Sequence, residues 1–213
     1  MTVDGMQTEI LPASSPHTVP RAYEILRRGG LVAFPTDTVY GVGALAFDGK
    51  AVASIYAAKD RPAEKAIPVL IADPRDLERV GVDIPEIARK LASRFWPGPL
   101  TLLVPKRMEL PEAISASPTV GVRVPDHEIA RALLRTAGPM AVTSANISGG
   151  QNPVTAQEVY EQLGGRIPLI IDGGRAPGGV ASTVVDCTGP TLKILREGPI
   201  SLAELHSALG ISE

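Results

Sequence analysis

The chain has 213 residues, of which 44% are hydrophobic and 21% charged, a composition that predicts one globular domain and excludes wholesale disorder. Its formal net charge of −2 and its aromatic content of 4% disfavour a broad nucleic-acid or membrane surface, so an anion-binding site has to be local. The single cysteine, Cys187, excludes an internal disulfide. Because the N-terminus also lacks the pattern of a signal peptide, we expect a cytoplasmic protein with no membrane association.

Apolar runs rich in β-branched residues alternate with amphipathic stretches, which predicts an α/β domain with a mixed or parallel sheet. Strands are expected near 8–11, 31–34, 67–71, 100–104, 120–124, 140–143, 168–171, 182–186 and 191–195. Helices are expected near 20–28, 50–59, 84–94, 126–136, 155–163 and 201–209. We expect residues 1–7 to be a flexible N-terminus and residues 8–213 to form a single domain.

Capping residues mark the start of two of these helices. Asp126, behind Pro125, is a good N-cap for the helix near 126–136. Thr155 is expected to cap the next helix, with Glu158 completing a capping box. By contrast, "GVGALA" at 41–46 matches a dinucleotide fingerprint only in its letters, because "PTDTVY" separates its first glycine from the preceding strand. A Rossmann site is therefore disfavoured.

Two predicted strands are each followed by a cluster of small polar side chains. "PTDT" follows the strand that ends at Phe34, and "TSANIS" follows the strand through Val142. Ligands of open α/β sheets bind outside the carboxyl ends of the strands, so we expect both clusters to face one crevice. The alternative is that these residues only form turns and helix caps.

Cations accompany these polar corners. The segment "IYAAKDRPAEKAIPVLI" places three cations, Lys59, Arg61 and Lys65, at the corner between a helix and a strand. The helix dipole alone also favours cations at a helix C-terminus, so they need not bind a ligand. Arg123 alternates with valines in "VGVRVP", which places it on the opposite face of a strand, and Arg196 ends another strand. Around Ser, Thr and Asn side chains, such cations predict a site for a polyanion such as a nucleoside triphosphate.

Seven blocks then carry a family resemblance: "GGLVAFPTDTVYGVG", "AKDRP", "WPGPLT", "VGVRVP", "TSANISG", "ASTVVD" and "REGP". In order and spacing the chain resembles the YrdC family of L-threonylcarbamoyladenylate synthases over residues 8–209. The resemblance implies a YrdC-like twisted open mixed sheet flanked by helices, with a concave basic ligand cavity. It implies synthesis of L-threonylcarbamoyladenylate from L-threonine, bicarbonate or CO2 and ATP with release of pyrophosphate, for N6-threonylcarbamoyladenosine modification of tRNA.

The resemblance also implies roles for individual residues. The family's Lys-x-Arg and Ser-x-Asn signature falls on four expected catalytic residues, Lys59, Arg61, Ser144 and Asn146. ATP binding is implied for Lys59, Arg61, Thr119, Ser144, Asn152 and Arg196, and L-threonine binding for Thr36, Arg123 and Ser182. Leu70 stands where some relatives carry a histidine, so no threonine contact is assigned to it.

The same resemblance implies the cofactor and the partners. Mg²⁺ is expected to be bound through the ATP phosphates, with no metal ligands from the protein. The product would pass to a separate tRNA threonylcarbamoyl transferase complex, and direct contact with tRNA is possible. Longer relatives add a C-terminal domain, whereas this chain is expected to be of the single-domain type.

Two other functions are compatible with the same residues. The basic concavity would suit a double-stranded RNA or tRNA-binding module, although the acidic pI of about 6.0 and the scarcity of aromatic residues argue against it. A carbamoyl-adenylate-forming enzyme that uses carbamoyl phosphate is the other alternative.

Overall fold

The structure, a computed structural model, describes residues 6–211, and its ten strands form one mixed sheet. The strands are β1 (Glu9–Pro12), β2 (Val32–Phe34), β3 (Gly41–Leu45), β4 (Val69–Leu70), β5 (Leu100–Pro105), β6 (Thr119–Arg123), β7 (Met140–Ser144), β8 (Leu169–Asp172), β9 (Thr183–Asp186) and β10 (Lys193–Arg196). Their order across the sheet is β1-β8-β2-β3-β7-β4-β6-β5-β9-β10. One sheet thus takes strands from both ends of the described chain.

Six α-helices flank the sheet: α1 (Thr18–Arg27), α2 (Gly49–Lys59), α3 (Glu86–Phe95), α4 (Glu128–Ala137), α5 (Ala156–Leu163) and α6 (Leu202–Leu209). All six predicted helices and all nine predicted strands are confirmed, with shifts of one or two residues at most ends. None of the helices in residues 6–211 is long and apolar enough to cross a membrane. Residues 1–5 of the expected flexible N-terminus lie outside the described residues, while Met6 and Gln7 are exposed and have no regular secondary structure.

The sequence patterns did not predict β3 or a 3-10 helix at Pro74–Arg79. β3 lies antiparallel between β2 and β7. A Cβ atom at Gly41 would lie 2.6 Å from Val142 Cγ1, and one at Gly43 would lie 2.6 Å from the Ala141 carbonyl oxygen. Both glycines therefore allow β3 to lie close to β7. The "GVGALA" segment is this strand and not a phosphate-binding turn.

The two helix starts differ from their predictions in detail. Asp126 is not an N-cap, because α4 begins one residue later, after His127, and no side chain caps it. The Asp126 backbone N–H instead donates to Asp37 Oδ1 at 3.0 Å. Thr155 does cap α5 by accepting from the Glu158 N–H. The Glu158 carboxylate, however, accepts from the Val154 N–H and not from that of Thr155, so the expected capping box is incomplete.

Two buried clusters place the helices on opposite faces of the sheet. Side chains of α1 and α4 pack with β2 and β8 on one face, and α2, α3, α5 and α6 contribute to the larger cluster on the other. On the α1–α4 face, the apolar cluster includes Leu70 and Val142. Both residues also line a cavity that continues across the same face toward β6, β5 and β9. The fold therefore leaves a concave surface beside the α1–α4 layer.

Candidate active site

The cavity has a volume of about 550 Å³, which is within the usual range for small-molecule sites. Alternate residues of β6 supply its centre: Thr119, Gly121 and Arg123 line it, while Val120 and Val122 point into the core on the opposite face. This alternation is the one predicted for Arg123. The described lining contains three arginines and no acidic side chain, so the cavity is suited to an anion.

The structure brings most of the expected site residues together. Eight of them line this cavity, and two do not, namely Lys59 and Asn146. The eight are Thr36, Arg61, Thr119, Arg123, Ser144, Asn152, Ser182 and Arg196. The predicted location of the crevice, outside the carboxyl ends of the strands, was wrong, because the cavity lies across the face of β5, β6 and β7. The clusters after β2 and β7 do meet there, since both strands run the same way on either side of β3.

Arg123 is the most buried cation of the cavity, with 6% exposure. Its Nη2 donates to Asp37 Oδ1 at 2.5 Å, its Nη1 to Thr38 Oγ1 at 3.0 Å and its Nε to the Gly98 carbonyl at 3.0 Å. Burial lowers the pKa of Arg123, and Asp37 opposes that effect. Each terminal nitrogen keeps one further N–H, so the fixed guanidinium can still offer a fork to a carboxylate.

Thr36 holds the corner that positions Asp37 and Thr38. Its Oγ1 donates to the Val39 carbonyl at 2.7 Å and accepts from the Thr38 N–H at 3.2 Å. Thr36 Oγ1 also lies 3.0 Å from Thr38 Oγ1. The turn after β2 thereby closes on itself through a side chain, and it presents buried hydroxyls beside the Arg123 guanidinium.

Arg196 and Ser182 form a second polar unit on the other side of the cavity. Arg196 Nε donates to the Ser182 carbonyl at 3.0 Å, and Arg196 Nη2 donates to Ser182 Oγ at 3.1 Å. Desolvation by the surrounding protein lowers the pKa of Arg196, although the residue is exposed on the surface. Arg196 also repels Arg123 electrostatically. Two cations that repel one another across a cavity are stabilised when an anion lies between them.

Arg61 supplies the third cation. Its Nη2 donates to the Ala66 carbonyl at 2.9 Å and its Nε to the Lys65 carbonyl at 3.2 Å, and partial burial lowers its pKa. Asp60 turns the chain into this corner with a left-handed φ of 51° at the end of α2. Lys65 is exposed and is not among the lining residues. Of the three cations at this corner, only Arg61 lines the cavity.

Lys59 is buried beneath the site, with 1% exposure. Its ammonium donates to the carbonyl oxygens of Ser144 and Asn146. Burial, followed by repulsion from Arg61, lowers the pKa of Lys59 to about 7, while the two carbonyl acceptors favour its charged form. In this structure Lys59 therefore braces the loop after β7 from below. Asn146 contributes to the same loop, because its Nδ2 donates to the carbonyls of Ile147 and Gly150.

Sequence reasoning missed three hydroxyl residues of the lining. Thr101 Oγ1 lies 2.8 Å from Ser182 Oγ. Ser115, Ser117 and Thr119 form a chain of hydroxyls, with 2.9 Å between each successive pair of oxygens. Thr101 lies on β5 between the core residues Leu100 and Leu102. This alternation could have predicted that Thr101 faces away from that core. The two serines lie in a loop without any pattern that could have indicated them.

Comparison with known proteins is decisive for the family. The profile of the Sua5/YciO/YrdC family, described as Telomere recombination, matches residues 24–198. The chain belongs to the Sua5/YciO/YrdC family. A putative threonylcarbamoyl-AMP synthase of Mycobacterium tuberculosis is 40% identical to it over 94% of this chain and 93% of that protein. The threonylcarbamoyl-AMP synthase of Pyrococcus abyssi is 48% identical over 87% of this chain.

Solved structures show the same Sua5/YciO/YrdC architecture. The crystal structure of P. abyssi Sua5 complexed with L-threonine matches with a TM-score of 0.92 and 44% identity, covering 95% of this chain and 61% of that one. The open mixed sheet flanked by helices, expected from the family resemblance, is thus confirmed. The chain spans 55% of the length of the P. abyssi relative.

Proposed function

We propose that the protein synthesises L-threonylcarbamoyladenylate from L-threonine, bicarbonate and ATP, with release of pyrophosphate. The observation that carries this proposal is the cavity itself, in which Arg61, Arg123 and Arg196 meet a lining of hydroxyl groups without an acidic side chain among the described lining residues. Two relatives named as threonylcarbamoyl-AMP synthases, one of them putative, support the proposal, as does the structure of a relative complexed with L-threonine. All three substrates carry oxyanions, which arginines bind well.

The amino-acid end of the site is proposed to lie at Arg123. The Asp37 carboxylate and the Thr38 hydroxyl fix the guanidinium plane, so its free N–H groups are preorganised to bind the L-threonine carboxylate. Thr36 stabilises the turn that carries both partners. Ser182, which is 4% exposed and lines the cavity, supplies a further hydroxyl to the amino acid.

The nucleotide end is proposed to lie between the other two arginines. Arg61 and Arg196 bind the phosphates, and Thr119, Ser144 and Asn152 provide neutral hydrogen-bonding groups to the nucleotide. Partial desolvation of their guanidinium groups, which lowers both pKa values, strengthens their attraction to an anion. Neither Arg61 nor Arg196 has an acidic side chain beside it among the described lining residues, so both keep their charge for the nucleotide.

The reaction needs positioning and charge stabilisation more than a protein nucleophile. The amine of L-threonine attacks bicarbonate to give a carbamate and water. A carbamate oxygen then attacks the α-phosphorus, and the bond to the β-phosphate oxygen breaks to release pyrophosphate. Arginines placed at the phosphates stabilise the charge that develops in this step. The only cysteine, Cys187, is buried, and burial raises the pKa of its thiol to about 12, so it is a poor nucleophile.

Mg²⁺ is proposed to enter with ATP. Among residues 6–211, no three His, Cys, Asp or Glu side chains lie close enough to hold a metal ion. The cavity offers hydroxyl oxygens instead, which suits an ion whose ligands are mainly phosphates and water. Bound there, Mg²⁺ would neutralise part of the triphosphate charge.

Lys59 and Asn146 are proposed to act through the loop after β7. Neither side chain lines the cavity, while Lys59 binds the Ser144 and Asn146 carbonyls. Their support keeps Ser144 at the cavity wall. Direct contact of Lys59 and Asn146 with ATP stays a prediction. Cytoplasmic location, transfer of the product to a tRNA threonylcarbamoyl transferase complex and direct contact with tRNA are also proposals.

Pyrophosphate release tests the proposed function. Purified protein is incubated with ATP, Mg²⁺ and bicarbonate, with L-threonine, carbamoyl phosphate or no addition, and the nucleotide product is identified by mass. Release that depends on L-threonine, with the mass of threonylcarbamoyl-AMP, is the expected result. Release only with carbamoyl phosphate would favour a carbamoyl-adenylate-forming enzyme, and no release would refute the proposal.

A matched pair of arginine variants links that activity to the cavity. Arg123→Lys keeps the charge but loses the fork, and we expect kcat/KM for L-threonine to fall by roughly 10²-fold. Arg75→Lys is the control, because the Arg75 side chain is 96% exposed. Equal activity of Arg123→Lys and the wild type would remove Arg123 from the proposed amino-acid site.

A further inference from the structure

Thr101 is a buried hydroxyl residue in the wall of the cavity. It is 3% exposed and lines the cavity, on the strand β5 that pairs with β9. Its Oγ1 lies 2.8 Å from Ser182 Oγ, which is its only hydrogen-bond partner among residues 6–211. This hydrogen bond satisfies the buried Thr101 hydroxyl and couples it to Ser182.

Packing fixes the orientation of this side chain. A Cβ atom at Gly121 would lie only 3.1 Å from Thr101 Cγ2, so the threonine methyl group fills the space that glycine leaves on β6. The branched side chain then has its hydroxyl directed at Ser182. A β-branched residue has few alternative rotamers, and the hydroxyl is held there without further hydrogen bonds.

Counting donors and acceptors leaves two proton arrangements for this group, because either hydroxyl of the Thr101–Ser182 pair can be the donor. Arg196 Nη2 always donates, so Ser182 Oγ accepts one hydrogen bond from it. If Ser182 also donated to Thr101, the Thr101 proton would have no acceptor among the described residues. If Thr101 donates, both lone pairs of Ser182 Oγ are occupied and the Ser182 proton is free. In either arrangement one hydroxyl proton remains for an acceptor in the cavity, since both residues line it. The Ser182 hydroxyl is the stronger donor of the two because it already accepts from the Arg196 guanidinium, so the second arrangement gives the stronger donor to an oxyanion.

We infer that Thr101 is a positioning residue that makes the Ser182 hydroxyl an obligatory hydrogen-bond donor to an oxyanion of the amino-acid substrate. This inference rests on the proposed function. Thr101 does not touch the substrate oxyanion in this arrangement. It acts by occupying the second acceptor position of Ser182 Oγ, so that the serine proton can only point to the cavity. Arg196 shares the same oxygen and thereby connects Ser182 with the phosphate end of the site.

A double-mutant cycle tests this role. Thr101→Val keeps the branched shape but removes the donor, and Ser182→Ala removes the hydroxyl on which Thr101 acts. We expect Thr101→Val to raise KM for L-threonine by about three- to tenfold, as for the loss of one hydrogen bond, with KM for ATP little changed. In the Ser182→Ala background the same substitution should have no further effect, because the group through which it acts is absent.

Two more variants separate the hydroxyl from the packing. Thr101→Ser retains the donor, so its KM for L-threonine should stay within about twofold of the wild-type value. Thr136→Val is the matched control, since Thr136 is exposed on α4, and it should leave both KM values unchanged.

The outcomes distinguish failure of the inference from failure of the proposed function. A wild-type protein without L-threonine-dependent pyrophosphate release would refute the function and the inference with it. With an active wild type, the inference alone is refuted by independent effects of Thr101→Val and Ser182→Ala, or by a rise confined to KM for ATP. The inference is also refuted if Thr101→Ser raises KM for L-threonine as much as Thr101→Val does. If Thr101→Val does not fold, Thr101→Ser and Ser182→Ala still test the inference. Of these two variants, only Ser182→Ala should raise KM for L-threonine.

Discussion

The buried Lys59 ammonium predicts that the free energy of unfolding rises with pH in the range just above neutrality. In the folded protein, burial lowers the pKa of Lys59 from 10.5 to about 7. Between these values the unfolded chain keeps the Lys59 proton while the folded chain releases it. The unfolded state therefore binds more protons, and stability increases as the pH rises. Below the folded pKa both states are charged, and this contribution no longer varies.

The magnitude follows from the two pKa values. Each pKa unit by which the two states differ is worth about 1.4 kcal/mol. From pH 7, where the folded ammonium is half titrated, to about pH 9, the gain is roughly 2 kcal/mol. Above this window Cys187 and Tyr40 act in the opposite direction, because burial raises the pKa of each to about 12.

Urea unfolding at a series of pH values across this window measures the effect. Lys59→Met preserves most of the side-chain volume and should abolish the additional increase with pH. Lys65→Met is the control, since Lys65 is exposed at the same corner, and it should keep the wild-type pH dependence. Equal pH dependence of the wild type and Lys59→Met would show that the Lys59 ammonium stays charged across the window. The carbonyls of Ser144 and Asn146 would then outweigh burial.

Two further predictions concern the cavity wall. Asp37→Asn leaves the buried Arg123 guanidinium without its ion-pair partner. Thermal or urea unfolding should show that the free energy of unfolding falls by roughly 3 kcal/mol, and kinetics should show a higher KM for L-threonine. An unchanged Tm would contradict the pairing. Gly121→Leu places a side chain into the cavity, where even its Cβ would lie 3.1 Å from Thr101 Cγ2 and 3.4 Å from Pro68 Cβ. Calorimetry should then show loss of ATP binding while circular dichroism shows a retained fold, and normal ATP affinity would refute the placement of the nucleotide.

The elements of the fold were largely predictable because they depend on local periodicity. The alternation around Arg123 predicted that this residue lies in a strand and on the face opposite the valines. The prediction is confirmed, because β6 is buried on one face and open to the cavity on the other. β3 was missed because Gly41 and Gly43 have low strand propensity. Their place in a central strand depends on how closely β7 approaches, which is a property of the packed sheet.

The site was less predictable, for a related reason. The positions of Arg61 and Arg196 at strand or helix ends could be read from the sequence, and both line the cavity. Burial of Lys59 could not be inferred, since a lysine at a helix C-terminus is usually exposed and its burial here depends on the loop 85 residues away. The partnership of Thr101 with Ser182 likewise joins residues 81 positions apart.

The electrostatics of the cavity explain how a chain with a net charge of −2 can bind polyanions. Of its three arginines, only Arg123 forms an ion pair with an acidic residue of the described chain, through Asp37 Oδ1. Arg61 donates to backbone carbonyls, and Arg196 donates to the backbone and hydroxyl of Ser182. Such neutral acceptors fix the direction of a guanidinium without cancelling its charge. The cavity thus keeps its positive charge for substrates, and the net negative charge of the chain disfavours non-specific binding of other polyanions.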